Sequence, residues 1–204
     1  MAQDTPQRIG ILGGTFDPVH QAHLMIAAVA QKAAALHRVV LMPAGQPPHK
    51  ESRRLSSAEH RLAMARLAAR EAGLEVSALE IATPGVDYTV DTLRALHARY
   101  PRDRLFFIIG GDSLMMLDQW YQPEELLRLA AFVAVYRPGN SLAELQAQRE
   151  KLMERYEGEI LLVPCHGMDV SSTTVRQRAA RGEDLTPWVP QAVADYIREH
   201  KLYQ

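Results

Sequence analysis

The sequence contains a single cysteine, Cys165, among 204 residues. One cysteine cannot form a disulfide within the chain, and it excludes a zinc site built from several thiolates. It fits a reducing compartment, so we expect a cytoplasmic protein in which Cys165 is a small buried hydrophobic residue. No apolar run approaches the roughly 20 residues of a transmembrane helix, and Met1 to Arg8 lack the apolar core of a signal peptide.

The chain also lacks an excess of either charge, because 23 basic residues face 24 acidic ones. No overall field draws it to nucleic acid or to an anionic membrane, and we expect neither partner. Three common motifs are missing as well: G-x-G-x-x-G, G-x-x-x-x-G-K-[ST] and H-E-x-x-H. NAD-linked hydride transfer, P-loop hydrolysis and zincin proteolysis therefore lose their usual support.

Short apolar runs bounded by glycine, proline or charged residues predict five buried strands. These runs are Ile9 to Leu12, Val39 to Met42, Leu105 to Ile109, Phe132 to Val135 and Ile160 to Val163. Helix-like segments lie between them, around 20–36, 57–72, 90–99, 123–130 and 141–156. This alternation predicts an α/β fold, a Rossmann-like parallel sheet with helices on both faces.

The length suits one domain over residues 1–204, with a C-terminal helical part at about 171–204. In that part we predict two helices, around 172–181 and 190–199. Ligands of such sheets bind outside the carboxyl ends of the strands, and unusual polar residues follow several of the predicted strands. These clusters are Thr15 to His23, Pro47 to Lys50, Gly110 to Ser113 and Ser171 to Arg176.

The segment from Gly13 to His23 reads GGTFDPVHQAH and predicts a strand end, a glycine turn and a helix that begins near Pro18. Such a junction gathers backbone N–H groups and a positive helix dipole, which favour a bound phosphate. His20 and His23 are three residues apart, so both rings would project from one face of the first turn. The alternative is a helix capped by Asp17 with surface histidines, which explains the turn but neither ring.

A second cluster, Ser171 to Arg176, predicts a helix capped by Ser171 or Ser172. Thr173 and Arg176 would then lie in its first turns, where hydroxyls, amides and a guanidinium suit a triphosphate. Taken alone, the same residues also describe an ordinary serine-capped helix with a solvated arginine.

Other candidates carry two interpretations each. Trp120 could stack on a planar heterocycle and Thr89 could hold a carboxylate, or Trp120 and Tyr121 could fill the edge of the core beside Leu126. Lys50 and His49 could reach a phosphate, or could belong with Arg53 and Arg54 to a solvated basic loop. Arg137 could contact ATP or solvate a turn. Gly110 and Gly111 would let a nucleotide approach, with Asp112 accepting hydrogen bonds from its ribose or base.

The string Gly111-Asp112-Ser113-Leu114 matches the GDSL esterases, which would make Ser113 a nucleophile. That family carries its Asp-x-x-His late in the chain, whereas here Asp17-Pro18-Val19-His20 precedes the serine and none follows it. We therefore treat the match as fortuitous.

Gly13 to His23 resembles the signature of the HxGH nucleotidyltransferases, with Ala22 in place of the usual glycine. Val170 to Arg176 resembles their ISSTxxR motif, with valine for isoleucine. Further segments make the chain similar, nearly end to end, to the bacterial nicotinate-nucleotide adenylyltransferases. These segments include Pro47 to Lys50, Asp87 to Thr89, Phe107 to Ser113, Gln119 to Tyr121, Arg137 to Gly139, Tyr196-Ile197 and Leu202-Tyr203.

The resemblance implies a nucleotidyltransferase fold and adenylyl transfer from ATP to nicotinate mononucleotide, which gives deamido-NAD and pyrophosphate for NAD synthesis. It also implies a requirement for Mg²⁺. We predict direct in-line attack and, because the chain shows no dedicated carboxylate cage, Mg²⁺ held mainly through the ATP phosphates with few or no protein ligands. The implied catalytic residues are His20, His23 and Arg176. The implied ATP-binding residues are Gly13, Gly14, Thr15, Phe16, His20, His23, Gly110, Asp112, Arg137, Ser171, Ser172, Thr173 and Arg176. The implied substrate-binding residues are Asp17, Lys50, Tyr88, Thr89, Asp112, Trp120 and Tyr121.

Several alternatives stay open at this point. A sister enzyme would use pantetheine phosphate or nicotinamide mononucleotide as the acceptor. A nucleotide sensor would bind ATP without releasing pyrophosphate, although both histidines and Arg176 argue against it. The sequence is also compatible with a homo-oligomer.

Overall fold

The computed structural model describes residues 5–46, 55–83, 85, 87–137, 139, 141–167 and 169–204. The predicted phosphate contact Lys50 lies outside these residues, as do the neighbouring candidates His49, Arg53 and Arg54. Among the residues described, no helix is long and apolar enough to cross a membrane.

The strands are β1 (Arg8–Gly14), β2 (Arg38–Pro43), β3 (Glu75–Val76), β4 (Arg104–Gly110), β5 (Ala131–Tyr136) and β6 (Ile160–Pro164). The helices are α1 (Gln21–Ala33), α2 (Ala58–Ala72), α3 (Leu79–Ala82), α4 (Thr89–Arg99), α5 (Gly111–Met115), α6 (Pro123–Leu129), α7 (Leu142–Arg155), α8 (Ser172–Ala180) and α9 (Gln191–Glu199). A 3-10 turn covers Leu117–Gln119.

The strands form a six-stranded parallel sheet in the order β3-β2-β1-β4-β5-β6. Ile9 of β1 lies opposite Leu105 of β4, and Phe107 of β4 lies opposite Phe132 of β5. The predicted parallel α/β fold is therefore confirmed, and so are all five predicted strands. Their interiors are buried on both faces, which explains why each reads as a continuous apolar run rather than an alternating one.

The elements that the pattern missed are short. β3 has two residues, paired through Val40–Glu75 and Leu41–Val76, and α3 and α5 have four and five residues. Elements of this length show no measurable period, so a hydrophobic pattern cannot find them. The seven longer helices begin and end within three residues of their predicted bounds, as expected for periodic segments.

The described chain divides into two compact units. The first unit comprises Met1–Gly13, Ile26–Val39 and Tyr88–His166. It contains most of β1 together with β4, β5 and β6, and its core includes Phe106, Phe132 and Leu105. Cys165 is 5% exposed at the end of β6, as predicted for a small buried residue, and burial raises the pKa of its thiol.

The second unit comprises Gly14–Met25, Val40–Asp87 and Gly167–Gln204. It holds α2, α3, α8 and α9, and α2 packs against α9. Ser57 caps α2 through a hydrogen bond that its Oγ accepts from the His60 N–H. Gly73 ends the helix in the left-handed conformation at φ 67°, which a residue without a Cβ adopts without strain. Both nucleotide-binding motifs predicted from the sequence belong largely to this unit.

Candidate active site

The helix that follows β1 begins at Gln21, one residue after the start of the helical segment predicted around 20–36 but three residues after the start near Pro18 predicted from the first motif. In a helix capped by Asp17, the Asp17 carbonyl would accept a hydrogen bond from the Gln21 N–H. Here the Asp17 carbonyl instead accepts from Nη1 of Arg176 over 2.7 Å, and the Gln21 N–H donates to the Trp188 carbonyl over 2.9 Å. Tertiary partners thus replace the first helical bonds and keep residues 15–20 in an open turn.

The rings of His20 and His23 stack at the start of α1, with centroids 3.7 Å apart and planes 21° from parallel. The two rings are brought together as predicted, but not on one face of the first helical turn, because His20 precedes α1. His23 Nδ1 accepts a hydrogen bond from the backbone N–H of His20 over 3.1 Å. Nδ1 therefore carries no hydrogen, and the proton of a neutral His23 ring must lie on Nε2. This arrangement makes Nε2 a hydrogen-bond donor.

Phe16 fixes the other side of His23. Its ring meets the His23 ring edge-on at 5.0 Å, and the Phe16 side chain is only 1% exposed. Phe16 has a φ of 49°, so the turn passes through the left-handed region just before Asp17. An ATP-binding role remains a prediction for Phe16, Thr15, Gly13 and Gly14, whereas Phe16 clearly packs against His23.

The second motif behaves as a helix cap, as predicted. Ser171 Oγ accepts a hydrogen bond from the Thr174 N–H at the start of α8. Ser172 Oγ donates to the Pro18 carbonyl over 3.0 Å. Because Arg176 also bonds the Asp17 carbonyl, two side chains of α8 hold the turn before the histidines. The structure therefore brings the two sequence motifs together within the second unit.

Arg176 divides its donors between the two motifs. Nη1 bonds the Asp17 carbonyl, and Nη2 bonds Thr173 Oγ1 over 3.3 Å. Among the residues that the structure describes, these bonds engage two of the five N–H donors of the Arg176 guanidinium, which leaves donors for an oxyanion. With the N-terminal dipole of the nine-residue helix α8 and the Nε2 donor of His23, the second unit offers a cationic and donor-rich surface.

Asp17 has partners within the protein. Its side chain is 2% exposed, Oδ1 accepts from the Tyr203 hydroxyl over 2.7 Å, and Oδ2 accepts from the Ser56 N–H over 3.3 Å. Burial raises the pKa of the Tyr203 hydroxyl well above its usual value, so this hydroxyl stays protonated and donates. The predicted substrate contact of Asp17 stays a prediction, and the observed bonds give the carboxylate a structural role.

The first unit holds the predicted substrate residues Tyr88, Thr89, Trp120 and Tyr121. Tyr88 and Tyr121 lie with ring centroids 4.9 Å apart and are 42% and 54% exposed. Trp120 packs edge-on against Phe107 at 6.4 Å, as the core-edge interpretation requires, yet it is only partly buried. Thr89 is the first residue of α4.

Three further candidates of the first unit lie at or directly after the ends of β4 and β5. Gly110 precedes α5, and a Cβ added to it would meet no atom within 4 Å, so the end of β4 is open. Asp112 is exposed in the first turn of α5, and Arg137 is exposed directly after β5. Ser113 also lies in α5, and no hydrogen bond joins its hydroxyl to a histidine among the residues that the structure describes, so the esterase triad has no counterpart here.

Sequence reasoning missed Arg61 and gave Tyr203 no role. Arg61 lies on the buried face of α2 with Met64, Ala65 and Ala68, and is 2% exposed. An arginine on an apolar helical stripe was the available signal. Tyr203 offered none, because its partner Asp17 is 186 residues away. Within the described ranges, no group of three or more histidine, cysteine or acidic residues could hold a metal ion.

Comparison with known proteins identifies the family to which the chain belongs. A family model described as Cytidylyltransferase-like matches residues 11–178, which include both motifs. The chain belongs to the cytidylyltransferase-like family. This match confirms the family resemblance predicted from the residues. The matched range contains both motifs, Gly13 to His23 and Val170 to Arg176.

Relatives of this cytidylyltransferase-like chain include three named "Probable nicotinate-nucleotide adenylyltransferase". That of Symbiobacterium thermophilum is 42% identical over 197 residues, covering 96% of this chain and 95% of the relative. That of Roseiflexus sp. is 43% identical and covers 96% and 98%. That of Clostridium botulinum is 38% identical and covers 97% and 98%.

A solved structure similar to this cytidylyltransferase-like chain is "Plasmodium falciparum nicotinic acid mononucleotide adenylyltransferase complexed with NaAD". It has a TM-score of 0.77 at 19% identity and covers 97% of both chains. The same protein complexed with APC gives a TM-score of 0.75. At this identity the likeness confirms the fold of the chain.

Proposed function

We propose that the protein transfers the adenylyl group of ATP to nicotinate mononucleotide, giving deamido-NAD and pyrophosphate. The observation that carries the proposal is the joining of the two motifs, through Arg176 to the Asp17 carbonyl and Ser172 to the Pro18 carbonyl. This joining gathers imidazole, guanidinium and helix-terminal donors in one unit, as a triphosphate requires. The names of relatives at 38–43% identity supply the acceptor.

The proposed reaction is an in-line displacement. An oxygen of the mononucleotide's 5′-phosphate forms a bond to the α-phosphorus of ATP, and the bond from that phosphorus to the bridging oxygen breaks. Pyrophosphate leaves with the electron pair. A phosphate monoester is already ionised near neutral pH, so no general base is needed. The protein contributes by positioning the reactants and by stabilising charge.

Within that scheme, His23 donates from Nε2 to a phosphate oxygen. The hydrogen bond that Nδ1 accepts from the His20 N–H keeps the neutral ring in the tautomer whose proton is on Nε2. The ring can therefore donate without first becoming a cation. The stacked His20 ring limits the rotation of His23. Arg176 neutralises charge on the departing pyrophosphate with the N–H groups that Asp17 and Thr173 do not engage.

Mg²⁺ fits this donor set as an ion bound through the ATP phosphates. The described side chains at the two motifs are neutral or cationic apart from Asp17, whose buried carboxylate already accepts two hydrogen bonds. When bound, the ion would neutralise phosphate charge and keep most of its waters. His20, His23 and Arg176 would act on the oxygens that the ion leaves accessible.

The decisive test is pyrophosphate release from ATP and Mg²⁺ with one acceptor at a time. Nicotinate mononucleotide should give rapid release, whereas nicotinamide mononucleotide, pantetheine phosphate and water should give little. Release with another acceptor would keep adenylyl transfer and reject nicotinate mononucleotide. ATP binding without release from any acceptor would reject catalysis and favour a nucleotide sensor.

A further inference from the structure

Arg61 is a buried cation that donates hydrogen bonds to four backbone carbonyls of the described residues. Nη1 donates to Thr15 over 2.9 Å and to Ala44 over 2.5 Å. Nη2 donates to Gly45 over 3.1 Å, and Nε donates to Ser56 over 3.2 Å. Because the side chain is 2% exposed, these carbonyls replace its water.

The carbonyls come from three different segments of the second unit. Thr15 follows β1, Ala44 and Gly45 follow β2, and Ser56 precedes α2. A single planar guanidinium therefore joins the two loops after β1 and β2 to the start of a helix. Its fixed fork of donors sets the distances between the carbonyls that it bonds.

Hydrogen bonds that do not involve Arg61 also hold the loop after β2. The Ala44 N–H donates to the Gly14 carbonyl over 2.9 Å, which links the loop after β2 to the end of β1. Asp87 then holds Gln46 twice, since Oδ2 accepts from the Gln46 N–H and the Asp87 N–H donates to the Gln46 carbonyl. The loop from Ala44 to Gln46 is thus held on both sides.

The burial of Arg61 is costly, and packing alone does not require it. Desolvation lowers the pKa of its guanidinium, and the charges of Asp17 and Asp87 offset part of that effect. A position on the apolar stripe of α2 would suit leucine or methionine without this desolvation. What arginine adds at this position is a set of directed hydrogen bonds that fixes four carbonyls relative to one another.

We propose that Arg61 is a positioning residue that holds the Gly14–Phe16 turn in place for the reaction at His23. It touches no reacting atom and acts through Thr15 on Phe16, whose ring packs against His23. A displacement of about 1 Å in such a turn costs roughly 100-fold in rate when it misaligns reactants. The kinetic part of this inference rests on the proposed adenylyl transfer.

The test compares Arg61→Lys with Arg66→Lys, the same change at an exposed position of the same helix. Lysine keeps the charge but presents one nitrogen, which cannot reproduce four directed bonds. Leu152→Ala, at a position 1% exposed in α7 of the first unit, serves as the control for lost stability. All variants are assayed well below their melting temperatures.

For Arg61→Lys we expect amide hydrogen exchange at Ala44 and Asp87 to become at least roughly 10-fold faster, because both amides bond the loop that Arg61 fixes. We expect kcat to fall at least roughly 10-fold while each KM changes less than about 3-fold. Arg66→Lys should leave both readouts unchanged. Leu152→Ala should lower the melting temperature without this pattern of exchange and kcat.

Unchanged exchange at Ala44 and Asp87 in Arg61→Lys would overturn the inference whatever the activity. So would a kcat within about 2-fold of wild type, or an equal loss of kcat in Leu152→Ala. If the wild-type protein releases no pyrophosphate with any acceptor, the proposed function fails. The exchange measurement then still decides whether Arg61 fixes the turn.

Discussion

Tyr203, the second-last residue of the chain, donates its hydroxyl hydrogen to Asp17 Oδ1 over 2.7 Å. The same hydroxyl lies 4.0 Å from Met64 Sδ on α2. Tyr203 thus reaches the buried carboxylate of the first motif. Its hydrogen bond to Asp17, made across 186 positions of the sequence, stabilises the turn that contains Asp17.

Tyr203→Phe should lower the free energy of unfolding near neutral pH by about 1–3 kcal/mol, because a buried carboxylate oxygen loses its donor. The raised pKa of the folded Tyr203 gives this difference a pH dependence. The stabilisation is fully present below the unfolded value near 10 and declines above it by about 1.4 kcal/mol per pH unit, since only the unfolded chain then loses the proton.

Urea unfolding of wild type and Tyr203→Phe between pH 7 and about pH 11 checks this prediction. The other tyrosines cancel in the difference between the two proteins. A difference that stays constant up to pH 11 would show that Tyr203 is not held protonated in the folded protein.

His23→Ala should lower kcat by about 100–1,000-fold, the usual effect of removing one preorganised donor to a developing charge. His37→Ala is the matched control, because His37 Nδ1 accepts a backbone hydrogen bond from the Arg8 N–H over 2.9 Å, just as His23 accepts from His20. Each variant loses one hydrogen bond that Nδ1 accepts from a backbone N–H. Steady-state pyrophosphate release should therefore fall only in His23→Ala, and equal rates would remove His23 from the proposed chemistry.

Trp120→Ala should raise the KM for nicotinate mononucleotide about 10-fold, because stacking on a base-like ring contributes roughly 1–3 kcal/mol. The KM for ATP should change less than about 2-fold. Tyr100→Ala provides a control, because ligands of parallel sheets bind at the carboxyl ends of the strands. Tyr100 lies near the opposite end, directly after α4 and before the amino end of β4. Equal changes in the two KM values for Trp120→Ala would support the core-edge interpretation, in which Trp120 only packs against Phe107.

The sheet was predictable because buried parallel strands produce continuous apolar runs, such as Phe106 to Ile109 in β4. The cap at Ser171 was predictable because it depends on a residue three positions away. The start near Pro18 was predicted three residues too early, because the Trp188 carbonyl accepts the Gln21 N–H from 167 positions away in the sequence. Sequence patterns predict hydrogen bonds between residues that are close in the sequence. The helix α1 begins where the distant Trp188 carbonyl accepts the first amide hydrogen of the helix.

The candidate site divides in the same way. His20, His23 and Arg176 stand out by residue type and spacing, so their motifs could be found in the sequence. Arg61 did not stand out, because its four partners are backbone carbonyls, which leave no mark on residue identity. The place of Arg61 on the apolar stripe of α2 is visible in the sequence, whereas the carbonyls that it bonds are recognisable only once the fold brings them together.

Ala22→Gly restores the usual residue of the family signature and tests whether the methyl group crowds the site. Ala22 is 7% exposed in the first turn of α1. We expect glycine to lower the free energy of unfolding by at most about 1 kcal/mol, through helix propensity, and to leave kcat and the KM for ATP within about 2-fold. Ala28→Gly, at an exposed position of the same helix, controls for the propensity effect. A kcat that rises more than about 3-fold in Ala22→Gly alone would show instead that the methyl group hinders the close approach of ATP.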